Sequence, residues 1–247
     1  MNPKKILITG ASGFVGQHLL NYLYQNHDCT LYAVVNNAKN FLKLNKVNYI
    51  KVDNLNNVKL KDELPRSIDC LIHLAGKAHS NYKYKQHYNS NYLLTKKLYD
   101  FASSIKVKKF IYMSTIKVHG EYSQLYKPFI NTDIPKPEDS YSKTKYLAEK
   151  YLLDNSNEKL FPIYIVRPPL IIGNKIKGNI EFFLKIIKLK IPLPIKNIKN
   201  KRSFLSINNL NTLLSKLIFE FNGKTDVFLI SDGYSISTSD LLNKISY

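Results

Sequence analysis

Short apolar runs alternate with stretches of helical period along most of the chain. Ile6-Leu7-Ile8, Leu31 to Val35, Val47 to Val52, Cys70 to Leu74, Lys109 to Met113, Phe161 to Val166 and Val227 to Ile230 read as strands, several of them apolar on both faces. Between them, Phe14, Val15, Leu19, Leu20 and Leu23 recur at helical spacing. So do Leu93, Leu94, Leu98 and Phe101 within a long helical candidate from Asn81 to Ser104, and Leu147, Ala148, Tyr151 and Leu152 after Ser140. Asn179 to Leu189, Asn208 to Phe221 and a start at Thr238 to Lys244 complete the helices. Strands alternating with helices predict an α/β fold with a doubly wound parallel sheet.

The first strand leads into Thr9-Gly10-Ala11-Ser12-Gly13-Phe14-Val15-Gly16, a glycine ladder between a strand and a helix. Gly10 permits a sharp turn, Gly13 lets backbone amides approach a pyrophosphate, and Gly16 lets the helix pack on the strand. The helix N-terminus offers unpaired N–H groups to the anion. With 9 glycines in 247 residues, this ladder points to dinucleotide binding rather than to an empty turn.

Length favours one α/β domain with a small appendage. The formal net charge of +19 raises a polyanion-binding reading. Arginine, however, stands only at Arg66, Arg167 and Arg202, and the lysines are scattered, so no specific nucleic-acid partner is expected. Cys29 and Cys70 lack metal-ligand spacing and read as buried thiols without a disulfide. No apolar run reaches membrane-spanning length and no signal-peptide pattern opens the chain, so a cytoplasmic protein with no membrane partner is expected.

After the second strand stand Asn36, Asn37 and Lys39 rather than the acid that reads an adenosine ribose, which leaves NAD or NADP open. Ala75-Gly76, after the fourth strand, would let a cofactor lie against bare backbone. His73 reads as a packed strand residue. Ser114-Thr115 end the fifth strand on the side where doubly wound sheets bind ligands. Tyr141 and Lys145 share one helix face, as do Tyr92 with Lys96 and Tyr146 with Lys150, and composition alone yields about two or three such pairs. Only Tyr141 follows a proline-rich loop (Pro128, Pro135, Pro137) and begins its helix. Beside a nicotinamide, Tyr141 would exchange the proton of a carbinol and Thr115 would bond the same oxygen. Lys145 would lower the phenol's pKa and bond the nicotinamide ribose.

These motifs resemble the extended short-chain dehydrogenase/reductases, a group with a Rossmann-like fold and a small C-terminal substrate-binding cap. Ser114-Thr115-Ile116-Lys117-Val118-His119-Gly120-Glu121 and Pro137-Glu138-Asp139-Ser140-Tyr141-Ser142-Lys143 narrow the resemblance to the nucleotide-sugar 4-epimerase and 4-ketoreductase branch of the NAD-dependent epimerase/dehydratase family. The resemblance implies a cofactor domain over residues 1–166, interleaved with later segments, and a partial substrate region over 167–247. It implies catalytic Thr115, Tyr141 and Lys145. Cofactor contacts are implied at Gly10, Ser12, Gly13, Phe14, Val15, Gly16, Asn36, Asp53, Asn54, Leu74, Ala75, Gly76, Asn91, Tyr141, Lys145 and Pro168. Substrate contacts are implied at Ser114, Thr115, Asn179 and Arg202, with no metal. Sugar dehydratases of the family carry Asp-Glu after the hydroxyl residue, where this chain has Ile116-Lys117, so the resemblance implies carbon-4 chemistry on a UDP-sugar, feeding surface polysaccharide, in a homodimer. Family members continue for several tens of residues beyond Tyr247, so an inactive dinucleotide-binding remnant or redox sensor is the alternative expectation.

Overall fold

The computed structural model describes residues 3–36, 41, 43–56, 59–78, 82–124, 127–157, 159–174, 200–237 and 239–240. Seven strands, β1 (Lys4–Thr9), β2 (Cys29–Asn36), β3 (Val47–Val52), β4 (Cys70–His73), β5 (Lys109–Met113), β6 (Ile163–Arg167) and β9 (Asp226–Leu229), form one sheet in the order β3-β2-β1-β4-β5-β6-β9. Every neighbouring pair in it is parallel. β7 (Leu170–Ile172), β8 (Arg202–Ser206) and β10 (Ser235–Ile236) make a second, three-stranded sheet. The helices are α1 (Phe14–Asn26), α2 (Leu60–Glu63), α3 (Tyr84–His87), α4 (Leu94–Ser104), α5 (Ser140–Asp154) and α6 (Ile207–Phe219).

Both faces of the main sheet are covered, which is why its strands read as continuous apolar runs. Ile6 and Ile8 of β1 pack with Leu19, Leu20 and Leu23 of α1 and with Leu210, Leu214 and Leu217 of α6. Leu7 points the other way, to Leu94, Leu98 and Phe101 of α4 and Ala148 and Leu152 of α5. Removing such a leucine to alanine in either layer costs about 2–5 kcal/mol. The order of winding reverses between β1 and β4, so their carboxyl ends flank the crevice of a doubly wound sheet.

The structure corrects the reading of Asn81 to Ser104 as one regular helix. Between α3 and α4 the backbone forms a π turn, Tyr88–Leu93. Around it Leu93 is 40% exposed while Leu94, Leu98 and Phe101, four and three residues apart, are buried. Asn91, within the turn, is fully buried, on one face with His87 and Thr95. Cys70 is buried as expected, whereas Cys29, at the open start of β2, is only half-buried, and both are free thiols. The proposed helix Asn179 to Leu189 and most of Thr238 to Lys244 lie outside the described residues. Among the described residues no helix is long and apolar enough to cross a membrane.

Candidate active site

The glycine ladder adopts the geometry its spacing predicts. Gly10 has φ +74°, and a Cβ there would stand 2.6 Å from the Ala75 nitrogen. A Cβ on Gly16 would stand 2.3 Å from the Gly10 carbonyl oxygen, so α1 can sit this close to the turn only without a side chain. Gly13 is the N-cap of α1, which has no side-chain cap and no acid in its first turn. The unpaired N–H groups at Phe14 and Val15 and the positive end of the helix dipole therefore remain available to an anion. Leu74 N donates to Thr9 O across 3.1 Å, tying the carboxyl ends of β1 and β4 together. Beside the turn, Ser12 Oγ accepts from Asn36 N (3.4 Å), and the Asn36 side chain donates to Asp53 O (2.9 Å). Asp53 and Asn54 are exposed at the end of β3.

At the mouth of β4, a Cβ on Gly76 would lie 2.9 Å from Asn91 Oδ1 and 3.5 Å from Lys145 Nζ. Asn91 clamps the next residue at both backbone atoms: Lys77 N donates to its Oδ1 (2.9 Å) and its Nδ2 donates to Lys77 O (3.1 Å). The Asn91 Nδ2 also donates to Thr144 Oγ1 on α5 (3.1 Å). His73 is a packed strand residue, as expected. Thr95 Oγ1 donates to Asn91 O (2.6 Å) and so accepts from His73 Nε2 (3.0 Å), leaving His73 Nδ1 to accept from Thr9 Oγ1 (2.8 Å). Burial, then the Lys145 charge, hold this imidazole well below its ordinary pKa, so it is neutral.

Ser114 and Thr115 follow β5 and are both buried. Ser114 N donates to Val166 O (2.8 Å) and Ile116 N to Pro168 O (2.9 Å), so the ends of β5 and β6 are fixed together. Thr115 caps the 3₁₀ turn Ile116–His119, its Oγ1 accepting from Lys117 N (3.3 Å). Tyr141 is the second residue of α5, half-buried. Burial pushes its phenol up to about 12, a hydrogen bond with Thr115 pulls it back, and Asp139 pushes it further up. Lys145, one turn later, is buried, and burial brings its ammonium down to about 7 against the opposing pull of Glu149. In contrast to the expectation that Lys145 sits on the phenol, its Nζ donates to Met113 O (2.7 Å) and lies 4.6 Å from the Tyr112 ring centre. Lys96 and Lys150 of the two competing pairs are exposed, as solvated helix faces should be.

The structure also assembles a buried cluster that no local pattern announces. Arg167, at the end of β6, donates from Nη2 to Glu149 Oε2 (2.6 Å), from Nε to both carboxylate oxygens, and from Nη1 to His119 Nε2 (2.9 Å). His119 stacks on Phe129. Residue pairs 18 and 48 apart in sequence meet here because β6 lies beside β5. Arg202 opens β8 and is exposed, while Asn179 lies outside the described residues.

The residues at the switch point fit a dinucleotide. The glycine turn is bare where a pyrophosphate would approach, Gly76 brings bare backbone up to Asn91 and Lys145 where a Cβ would crowd them, and the buried Ser114 Oγ has no hydrogen-bond partner among the described residues. Among the described residues no cluster of His, Cys, Asp or Glu could hold a metal.

Residues 6–228 match the family model described as the NAD dependent epimerase/dehydratase family, and the chain belongs to that family. It is 32% identical over 253 residues to a UDP-glucose 4-epimerase of Vibrio cholerae, an alignment covering 99% of this chain and 75% of that protein. It is 28% identical over 272 residues to a dTDP-D-glucose 4,6-dehydratase of Dictyostelium discoideum, covering 98% of this chain and 61% of that protein. In fold it resembles the Thermus thermophilus UDP-glucose 4-epimerase crystallised with NAD, with a TM-score of 0.83 at 17% identity, over 98% of this chain and 82% of that one.

Proposed function

We propose that this chain is an NAD(P)-dependent enzyme that oxidises or reduces carbon 4 of a UDP-hexose or UDP-N-acetylhexosamine, as a 4-epimerase or a 4-ketoreductase serving surface polysaccharide synthesis in the cytoplasm. The observation that carries the reading is the convergence of Thr115, Tyr141 and Lys145 at the carboxyl end of β5, beside the bare backbone of Gly76. A bound nicotinamide would supply the two-electron acceptor and donor. Gly10, Ser12, Gly13 and the first turn of α1 would hold the pyrophosphate, Asn36, Asp53 and Asn54 the adenosine, and Leu74, Ala75, Gly76, Asn91 and Pro168 the nicotinamide half.

Tyr141 takes the carbon-4 hydroxyl proton on oxidation and returns one on reduction, while Thr115 donates to the same oxygen as charge builds on it. Lys145, whose ammonium donates to one carbonyl among the described residues, keeps donors for ribose hydroxyls and stabilises the phenolate that Tyr141 passes through. Ser114, Arg202 and Asn179 orient the sugar and its diphosphate. The dehydratase relative makes water elimination the competing chemistry, and Ile116-Lys117 after Thr115 favour carbon-4 redox, since elimination needs a carboxylic acid near the leaving hydroxyl. The reading includes a homodimer, supported by apolar Leu93 and Leu147 exposed beside α4 and on α5; light scattering tests it.

The deciding experiment incubates purified protein with UDP-glucose, UDP-N-acetylglucosamine and a UDP-4-keto-6-deoxy sugar, with NADH and NADPH in turn. Epimer formation without added cofactor identifies the epimerase, and stoichiometric NADPH oxidation identifies the reductase. Cofactor binding with no sugar reacting overturns the proposal and leaves a dinucleotide-binding protein.

A further inference from the structure

We infer that Lys117 is a positioning residue of this site, its ammonium tying the turn that Thr115 caps to Asp139, the N-cap of the helix that carries Tyr141. The inference rests on the proposed roles of Thr115 and Tyr141. Lys117 Nζ donates to Asp139 Oδ2 (3.0 Å) and to Glu121 Oε1 (2.6 Å). Asp139 is the N-cap of α5: its Oδ1 accepts from Ser142 N (2.6 Å), and its backbone oxygen accepts from Ser142 Oγ (3.1 Å). At its own backbone, Lys117 N donates to Thr115 Oγ1. One residue therefore touches the Thr115 hydroxyl through its amide and the start of the Tyr141 helix through its side chain. The far side of the bridge is braced as well, since Glu121 N donates to Glu138 Oε1 (3.1 Å).

The electrostatics run the same way. Asp139 is the carboxylate that pushes the Tyr141 phenol up, after burial. Burial opposes ionisation of Asp139, but its bonds to Ser142 and Lys117 outweigh that and hold the carboxyl below its ordinary range. Burial likewise opposes the Lys117 ammonium, and its bonds to Glu121 and Asp139 outweigh it, so the pair is fully charged at neutral pH. Among the described residues the other groups around Tyr141 are Lys145 on its own helix, the Thr115 hydroxyl at the cap of the 3₁₀ turn, the Tyr112 phenol of β5, and His87 of α3, whose ring centre lies 6.0 Å away. Without Lys117, Asp139 would face the phenol with its charge uncompensated.

Tyrosine carrying ¹³C at Cζ reports the ionisation of Tyr141 by NMR, with Tyr141→Phe assigning the signal, in the NAD-loaded full-length protein and without sugar. Lys117→Met is expected to raise the Tyr141 midpoint by about half a pH unit and Lys117→Arg to leave it unchanged. Asp139→Asn, which keeps a good N-cap, is expected to lower it by a similar amount. In turnover, Lys117→Met is expected to lower kcat about three-fold near neutral pH with KM within two-fold, and Lys117→Arg to restore it. A Tyr141 midpoint unmoved in Lys117→Met overturns the inference, including the case where only the melting temperature falls, which would make the bridge a fold support. Since the titration uses no sugar, it reads the inference even if no UDP-sugar reacts, and that silence would count against the proposed function alone.

Discussion

The two ends of β5 each hold a buried lysine, and the two do opposite things. Lys109 opens the strand at 7% exposure, and Lys145 lies over its end at 4%. The Lys109 ammonium donates to Leu217 O and Ile218 O (3.1 Å each) and to Phe221 O, and Lys4 donates to Ile218 O and Phe219 O. These are the unpaired carbonyls and the negative dipole end of α6, so all three protons of Lys109 are committed to closing a helix. A cavity of about 890 Å³ opens there among Lys4, Lys5, Lys108, Lys109 and Lys224, yet Lys108 is paired with Asp69 and Lys5 bonds Ser67. At the other end, among the described residues, Lys145 has one carbonyl and one aromatic face, and it lies beside Gly76, whose missing Cβ would stand 3.5 Å from Nζ. On the proposed function, the contrast teaches that buried charge is put to work where donors are left over, not where lysines are most numerous.

The sharpest way to break this contrast is at the reacting end. Tyr141→Phe is expected to lower turnover about 10³-fold with the protein still binding NADH as wild type does, measured by sugar assay beside fluorescence titration. Wild-type turnover in that variant would remove Tyr141 from the mechanism. A step smaller, Lys145→Met should cost about 10²-fold in turnover and also weaken NADH binding, because both its charge and its spare donors go.

Arg167 is a paired charge at the proposed reacting end, and it sharpens the comparison. Arg167→Met or Glu149→Met alone strands a buried charge and should cost about 3–5 kcal/mol in urea melts, while the double variant returns close to wild type. Additive losses would show that the two side chains are not energetically coupled, against the reading of a compensating pair. At the opposite end, Lys109→Met leaves the α6 carbonyls unmet, so a loss of about 1–3 kcal/mol with unchanged kcat is expected. Loss of turnover with unchanged stability would place function at the wrong end of the strand.

The sequence made one half of this contrast visible. The glycine ladder was legible because fixed spacing, a strand and a helix coincide within a few residues, and Tyr141 stood out among three tyrosine–lysine pairs because it begins a helix after the proline-rich loop. What stayed hidden depends on sheet order. Glu149, Arg167 and His119 meet only once β6 is set beside β5, and Lys109 finds its acceptors 108 and 109 residues away. The π turn was hidden for another reason: one extra residue in a helix leaves the apolar period almost intact. The preference of Lys145 for the Met113 carbonyl over the phenol could not be read from the i, i+4 spacing, which fixes the helix face but not the rotamer.

The smallest effect is a pH slope, and it tests whether Lys145 really has unspent donors. In the folded protein its ammonium titrates near 7, below the ordinary lysine value of 10.5, because burial disfavours the charge. Between those two values the unfolded chain binds more protons than the folded one, so the free energy of unfolding rises with pH; below about pH 7 both states are protonated and the penalty is constant. Urea melts from pH 7 to pH 9 should therefore steepen by up to about 1.4 kcal/mol per pH unit in wild type relative to Lys145→Met. That range stays below the window where the raised phenols of Tyr99, Tyr151 and Tyr164 contribute with the opposite sign. Saturating NAD should flatten the wild-type slope, since ribose hydroxyls accepting from Nζ restore the proton that burial takes away. An identical slope in Lys145→Met would mean that the Met113 carbonyl alone already satisfies this ammonium, and the difference between the two ends of β5 would then lie in shape rather than in charge.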